Sequence, residues 1–297
     1  MSHTPVFIGG AGRSGTTLLA DLIGCHPQLS PIYETDFLRD FVLLFLASDA
    51  PPLNEACVRA IQYMDQWSKA LPHRPHNKAA HERYVHGPHY LLFSRDEAMA
   101  ATVDCVRTIR AGGDATAAIG RMATRLFQAH LRADNKPCWV NKTPANLSIL
   151  PELTRAFGPR LRFVHILRDP RDVACSVVDR PWGPQCHADV GAWWAGKVHR
   201  GLRFARSQNL AYLEVHFEDL VRDPATTLDR VFGFLGHRPM GREVADFHAK
   251  GRIPFDLSRI GRWQADFPAQ EREGFLAHCG NLMESVGYRW QDGVQAA

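Results

Sequence analysis

Apolar residues along this chain fall into short unbroken runs separated by stretches with helical spacing. Val6–Gly9 is one such run, closed by glycines, and Leu161–Leu167 is another. Runs of this length bounded by turn residues predict strands buried on both faces. Ile32–Tyr33, ending at Glu34, Cys138–Asn141 and Tyr212–Phe217 predict three more strands. Helical spacing fills the gaps. Thr16 to Gly24 places Leu18, Leu19, Leu22 and Ile23 on one face. Pro170 suits the first turn of a helix after Leu167, and Asp189 to Ser207 reads as a long helix. Asp223 and Pro224 supply the N-cap and first position of a helix that runs to Leu235. Phe275, Leu276, Cys279, Leu282, Met283 and Val286 recur at helical spacing and predict a closing amphipathic helix.

Strand and helix alternate clearly at the start of the chain and again after residue 137. This alternation predicts an α/β fold with a parallel sheet and helices on both faces. Residues 39–135 interrupt it. They read as mostly helical, punctuated by Pro51, Pro52, Pro72, Pro75 and Pro88. The apolar stretch Phe41–Ala47 is read as core, with dimer surface and substrate wall as its other uses; a homodimer stays open.

Length and composition narrow the class. The 297 residues, 45% hydrophobic and 22% charged, suit one large α/β domain or two small ones and exclude a disordered chain. The net charge of +4 suits an anionic ligand but is too small to call for nucleic acid. The seven cysteines are scattered and contain no C-x-x-C pair, which argues against a disulfide scaffold or a zinc ribbon. Reduced thiols, a strand beginning at Pro5 in place of a signal sequence, and no apolar run near the roughly 20 residues of a spanning helix together predict a soluble cytoplasmic protein.

The chemistry begins at Gly10-Ala-Gly-Arg-Ser-Gly-Thr-Thr17. Set against the phosphate loop G-x-x-x-x-G-K-[ST], both glycines and the final threonine fit, but Thr16 stands where the lysine belongs. Glycines still let the backbone approach an anion, and amides at the following helix N-terminus still point at it. What is missing is the cation that spans the β- and γ-phosphates of a triphosphate. Arg13 sits inside the loop instead, which suits one terminal phosphate carrying an acyl or sulfuryl group. A nucleophile elbow G-x-S-x-G around Ser14 fails, because Thr16 occupies the second glycine position. A glycine turn without a ligand is the plain alternative.

A second anion-binding pattern follows the strand Leu161–Leu167. Arg168 stands at its carboxyl end, where open α/β sheets bind ligands. Ser176 and Arg180 come eight and twelve residues later, on one face of the next helix. These side chains can grip a second phosphate; a salt bridge from Arg168 to Asp169 or Asp172 is the other reading. Two anion sites at neighbouring strand ends suit a nucleotide phosphorylated twice, such as 3′-phosphoadenosine-5′-phosphosulfate. The Gly10–Thr17 loop would hold its 5′-phosphate beside the sulfuryl group, and the Arg168 site its 3′-phosphate.

With both patterns in place, the chain resembles the sulfotransferase family, most of all tyrosylprotein sulfotransferases and their bacterial relatives. The resemblance rests on "FIGGAGRSGTTLL", "CHPQL", "YETDFL", "NKTP", "FVHILRDPRDVACSVVDR", "VHFEDLVRDP" and "GRW", in order from Phe7 to Trp263. It implies a single domain over residues 1–297 with a P-loop, nucleotide-kinase-like three-layer fold and a mostly helical acceptor-side insertion at about 40–135. It implies that Arg13, Ser14, Gly15, Thr16 and Thr17 bind the 5′-phosphosulfate, and that Arg168, Ser176 and Arg180 bind the 3′-phosphate. It also implies Glu34 as catalytic base, Lys142 beside the sulfuryl group, and Arg262 in a late cofactor-binding segment near Ser258. Phe217 departs from the tyrosine-directed pattern, which has a tyrosine there. The section at about 40–135 does not follow the family pattern.

The reaction so implied is direct in-line sulfuryl transfer to a hydroxyl or amine, leaving 3′-phosphoadenosine-5′-phosphate. Glu34 would take the proton, while Arg13 and Lys142 stabilise developing negative charge without a metal. A strand-end cap for Glu34 and a solvated lysine beside Thr143–Pro144 for Lys142 are the structural alternatives. The acceptor class stays open among small molecules, glycans, lipids and peptides. A kinase-type phosphotransferase and a non-catalytic nucleotide-binding protein are the competing functions. His73, His76, His81, His86 and His89 lack the spacing of a helical zinc motif and are read as solvated loop residues. Trp193 and Trp194 are read as core.

Overall fold

A computed structural model of the chain describes residues 4–69, 93–250 and 255–290. The histidine-rich stretch from His73 to His89 lies outside the described residues. Five strands form one sheet: β1 (Val6–Gly9), β2 (Leu29–Tyr33), β3 (Cys138–Lys142), β4 (Arg162–Leu167) and β5 (Ala211–His216). Their order is β2-β3-β1-β4-β5, and every neighbouring pair is parallel. Both faces of the sheet are covered, as an all-parallel sheet requires.

One face packs against α1 (Thr16–Gly24), α9 (Phe217–Arg222) and α10 (Pro224–Leu235). That core contains Ile8, Leu19, Leu22, Val164, Ile166 and Phe232, each 0% exposed. The other face packs under the helices joining β2 to β3 and under four later ones. The joining helices are α2 (Phe37–Phe45), α3 (Leu53–Ser68), α4 (Arg95–Arg110) and α5 (Ala115–Asp134). The next is α6 (Leu150–Phe157). The long α8 (His187–Ser207) is reached through the short α7 (Pro170–Val177) and packs against α13 (Arg272–Ser285). Between them come α11 (Gly241–Lys250) and α12 (Trp263–Asp266). Local signals place several starts. Ser94 and Glu97 form a reciprocal capping box on α4, and Asp223 caps α10 ahead of Pro224.

The connections leave β1 to both sides: β3 lies next to it on one edge and β4 on the other. The direction of the strand order reverses there. In an open α/β sheet this is where the carboxyl ends of the strands open a crevice. The loop after β1, the end of β3 and the end of β4 all meet at that point.

The strands differ from expectation at their ends. β2 begins at Leu29, because Ser30 and Pro31 pair with β3 despite their low strand propensity. β3 runs on to Lys142, whose alignment with Ile8 and Tyr33 continues the ladders. Phe217 opens α9 instead of closing β5. In α2, Phe41 and Val42 are buried but Leu43 is 51% exposed, so the Phe41–Ala47 run is core on one side only.

Candidate functional site

The loop after β1 turns on backbone conformation. Arg13 and Gly15 both adopt left-handed φ, at 71° and 91°. Gly15 has a second reason to be glycine: a β-carbon there would lie 2.5 Å from Cδ2 of Phe217. The loop is tied to the turn after β3 through the amide of Gly10, which donates to the carbonyl of Pro144 at 3.1 Å. Thr16 opens α1 and is buried, so the helix N-terminus faces the loop with no lysine in between.

Arg168 joins this loop to a second one. It is 4% exposed, and its Nη1 donates to the carbonyl of Arg13 at 3.0 Å. Its Nη2 donates to the carbonyl of Arg259 at 2.6 Å. The guanidinium carbon sits 4.7 Å from the ring centre of Phe217. Of the two carboxylates weighed as partners, Asp172 lies 4.0 Å away, while Asp169 pairs with Arg171 at 2.7 Å.

Ser176 stands on α7 as the spacing predicts, but α7 ends at Val177, so Arg180 lies on the turn beyond the helix and not on its face, its amide donating to the carbonyl of Val177 at 2.8 Å. Arg13 Nε donates to Ser176 Oγ at 3.0 Å, and Arg180 Nε approaches the carbonyl of Ser176 at 3.4 Å. Arg13 is exposed as a residue, but partial desolvation of its guanidinium, with the charges of Arg180, Arg259 and Arg168, holds that group below the usual arginine range. Burial does the same to Arg168, against the pull of Asp172 and Glu218. Crowded, partly desolvated guanidinium groups gain most from an anion placed among them.

Two orphaned atoms mark the same place. Ser14 is 1% exposed, yet its Oγ has no hydrogen-bond partner among the described residues, nor has Arg168 Nε. A buried polar group left unmade costs about 1–3 kcal/mol. An oxyanion satisfies both a hydroxyl and a guanidinium N–H. The loop amides, the arginines and these two atoms therefore fit a ligand carrying phosphate at two positions.

Glu34 and Lys142 meet at the ends of β2 and β3. Lys142 is 0% exposed, and its ammonium is ion-paired with the Glu34 carboxylate. It also donates to Thr17 Oγ1 at 3.2 Å, which ties the pair to the first turn of α1. Lys142 is thus a buried, paired lysine, not a solvated one. Glu34 has left-handed φ of 50°, and its amide donates to the carbonyl of Lys142 at 2.8 Å. Strained backbone of this kind persists only where the surroundings fix it. Here Thr35 does so, its amide donating to Thr143 Oγ1 at 2.9 Å and its hydroxyl accepting from Asn141 at 2.7 Å.

The late segment is placed differently from the sequence reading. Arg259, which that reading passed over, is the basic residue whose charge reaches Arg13 and Arg168. Arg262 is paired with Asp266 at 2.6 Å. Ser258 Oγ donates to Asp256 at 2.5 Å, and Arg259 Nε donates to the same carboxylate at 2.9 Å. The sequence offered two arginines three positions apart, and only the path of the loop, with the Arg259 carbonyl held by Arg168, tells which one lies against the Arg13 cluster. The tryptophans also part company. Trp194 is 0% exposed core, but Trp193 is only half-buried and borders the loop at Gly12. Among the described residues, no group of three or more His, Cys, Asp or Glu could hold a metal ion.

This is a parallel α/β protein with a glycine loop at the strand-order reversal, which lacks the phosphate-loop lysine, and a buried arginine just beyond the end of the next strand. The sequence profile of the sulfotransferase family matches residues 5–239, and the chain belongs to that family. No curated protein matches the sequence. Solved structures agree on the fold. The sulfotransferase domain from the Synechococcus PCC 7002 olefin synthase superposes with a TM-score of 0.59 at 19% identity, covering 98% of each chain. The sulfotransferase domain from the curacin biosynthetic pathway gives 0.53 at 17%, covering 93% of this chain and 98% of that one. A Mycobacterium avium sulfotransferase gives 0.51 at 14%, covering 95% of this chain and 76% of that one. Among the described residues no helix is long and apolar enough to cross a membrane.

Proposed function

We propose that the protein moves the sulfuryl group of 3′-phosphoadenosine-5′-phosphosulfate to a hydroxyl or amine by direct in-line transfer. The observation that carries this reading is the contact chain from Glu34 through buried Lys142 to Thr17 of the phosphate loop. It sets a carboxylate beside the loop that would hold the leaving phosphate. When bound, the donor supplies the sulfuryl group and accepts the leaving charge on its 5′-phosphate.

The chain's own residues do the rest. Amides of Ser14 to Thr17 and the side chains of Arg13, Ser14, Thr16 and Thr17 hold the 5′ end. Arg168, Ser176 and Arg180 hold the 3′-phosphate, with Arg259 and Arg262 on the late loop beside them. Arg13 exchanges its contact with Ser176 for the ligand and meets negative charge as it builds. Glu34 takes the acceptor's proton on its carboxylate. Lys142 keeps that carboxylate aimed, and adds positive charge where the bond breaks. These fixed groups supply the positive field, and no metal enters the scheme. The domain extends over residues 1–297, with residues 40–135 on the acceptor side.

Calorimetric titration with 3′-phosphoadenosine-5′-phosphate, beside ATP with Mg²⁺, tests the reading. Tight binding of the bisphosphate, weak binding of ATP, and loss on Arg168→Ala are expected. Preference for ATP would reinstate a phosphotransferase. Bisphosphate binding with no transfer to any acceptor, and an inert Glu34→Gln variant, would leave a nucleotide-binding protein.

A further inference from the structure

Arg168 can face a phosphate only if its own backbone is held, and β4 has already ended at Leu167. The amide that follows it, of Asp169, donates to Glu218 Oε1 at 2.9 Å. The carbonyl of Arg168 and the amide of Asp169 share one rigid plane, so this bond fixes the turn that carries the arginine. Glu218 is 8% exposed and stands directly after Phe217, whose ring lies against the Arg168 guanidinium.

The second Glu218 oxygen accepts from the hydroxyl of Tyr288 at 2.7 Å. Nδ1 of His216 lies 2.9 Å from the same hydroxyl. The tyrosine has one proton and gives it to the carboxylate, so His216 must donate, which fixes its Nδ1–H tautomer. Desolvation and the charge of Glu218 raise the Tyr288 hydroxyl above its ordinary range, and it remains a donor. A helix stop brings Tyr288 to this place. Gly287, at φ 94°, follows the end of α13; its amide donates to the carbonyl of Glu284, and that of Tyr288 to the carbonyl of Met283. This pair of bonds around a left-handed glycine turns the chain back toward the end of β5.

The next two residues hold the same turn. The Arg289 carbonyl accepts from Arg171 Nη1 at 3.0 Å, and the Trp290 ring centre lies 5.3 Å from the Arg171 guanidinium carbon. Arg171 in turn grips the Asp169 carboxylate through Nε at 2.9 Å and Nη2 at 2.7 Å. Packing of Trp290 on Phe267 and Phe275 anchors this end of the chain by apolar contact. The polar contacts do something else, for they converge on residues 169 and 171, either side of Pro170. The family profile matches Glu218 but stops at residue 239, so Tyr288 comes from outside the matched part.

We propose that Tyr288, acting through Glu218, is a positioning residue for the nucleotide's 3′-phosphate, which it serves by fixing the Arg168–Asp169 peptide. The proposal rests on the donor reading above and deepens it. Neither Tyr288 nor Glu218 is asked to touch the ligand. Without the tyrosine hydroxyl, one oxygen of a buried carboxylate loses its partner. The carboxylate is then free to leave the Asp169 amide, and Arg168 loses its fixed direction.

The test compares two nucleotides on the full-length protein by calorimetry: 3′-phosphoadenosine-5′-phosphate, and adenosine 5′-phosphate, which lacks the 3′-phosphate. Tyr288→Phe removes one hydroxyl and keeps the ring. It should weaken the bisphosphate about 10-fold, as loss of about 1.4 kcal/mol implies, and change adenosine 5′-phosphate by less than about 2-fold. Glu218→Ala should weaken the bisphosphate further. Glu218→Gln keeps an oxygen for the Asp169 amide and should fall between wild type and Glu218→Ala, which guards against a folding defect in the alanine variant. Thermal melts of each variant run alongside. Equal losses for both nucleotides would overturn the proposal by giving the network a general structural role. A lower Tm with bisphosphate affinity unchanged in Tyr288→Phe and Glu218→Gln would overturn it too, leaving Tyr288 a tether for this end of the chain. Failure of wild-type protein to bind the bisphosphate would instead sink the underlying donor reading.

Discussion

The carboxylate of Asp172, fully buried in the first turn of α7, accepts a hydrogen bond from the backbone amide of Trp263 at 3.0 Å. Its other oxygen accepts from the amide of Gly261 at 2.8 Å. One side chain on the β4 side thus pins the loop that carries Arg259. Arg171 adds to this by laying its guanidinium 3.7 Å from the ring centre of Trp263. Asp172→Ala should free the loop and lower bisphosphate affinity about 10-fold, or roughly 1.4 kcal/mol. Asp172→Asn keeps one accepting oxygen and should fall between. Calorimetry of both variants checks this, and equal affinity in all three proteins would remove Asp172 from the positioning role.

Glu34→Gln keeps the shape of the side chain but removes its charge. Turnover should drop about 10²- to 10⁴-fold, the span of general-base contributions, while bisphosphate affinity holds. The substitution also leaves the buried Lys142 ammonium without its anion, which is unfavourable. A lower Tm should therefore accompany the lost activity. Single-turnover assays and thermal melts read the two effects separately.

Gly15→Ala combines two penalties, a φ of 91° and a β-carbon 2.5 Å from Phe217. A loss of about 1–3 kcal/mol is expected from the backbone alone. Phe217→Leu in the same chain should relieve the clash but not the dihedral strain, so only part of the lost Tm should return. Full recovery would mean that the backbone carries no strain.

Stability should depend on acid through two buried histidines. Burial lowers His130 to about 4 and His165 to about 3, from an ordinary value near 6.5. Both are neutral when folded, whereas the unfolded chain takes up protons below about 6.5. The unfolded state then binds more protons, so stability falls as pH drops from about 6.5 toward about 4. Urea midpoints at pH 7 and 5 should show the loss, and a neutral replacement such as His130→Gln should flatten it.

Much of the frame was legible because its signals are local. The apolar runs and their glycine stops marked β1 and β4, and Asp223–Pro224 marked α10. The placement of the glycine loop and of Arg168 was legible because each sits at a fixed offset from a strand end. What could not be read depends on long-range placement. Ser30 and Pro31 become strand only because β3 lies alongside. Arg259 and Arg262 look equivalent until Asp172 fixes the loop. Trp193 and Trp194 are adjacent indoles, and only the rotation of α8 sends one into the core and the other to the crevice.

Arg168 braces two loops by holding main-chain oxygens, not side chains. The brace is therefore indifferent to which side chain occupies position 259, whereas position 13 keeps the demand of its left-handed backbone. The side chain at 259 can be exchanged, and with it the charge beside the loop after β1, while the scaffold that presents it stays in register. Position 259 is in this sense an interchangeable part on a fixed mount. Redesign of this end of the crevice should begin at 259 and leave 168 alone.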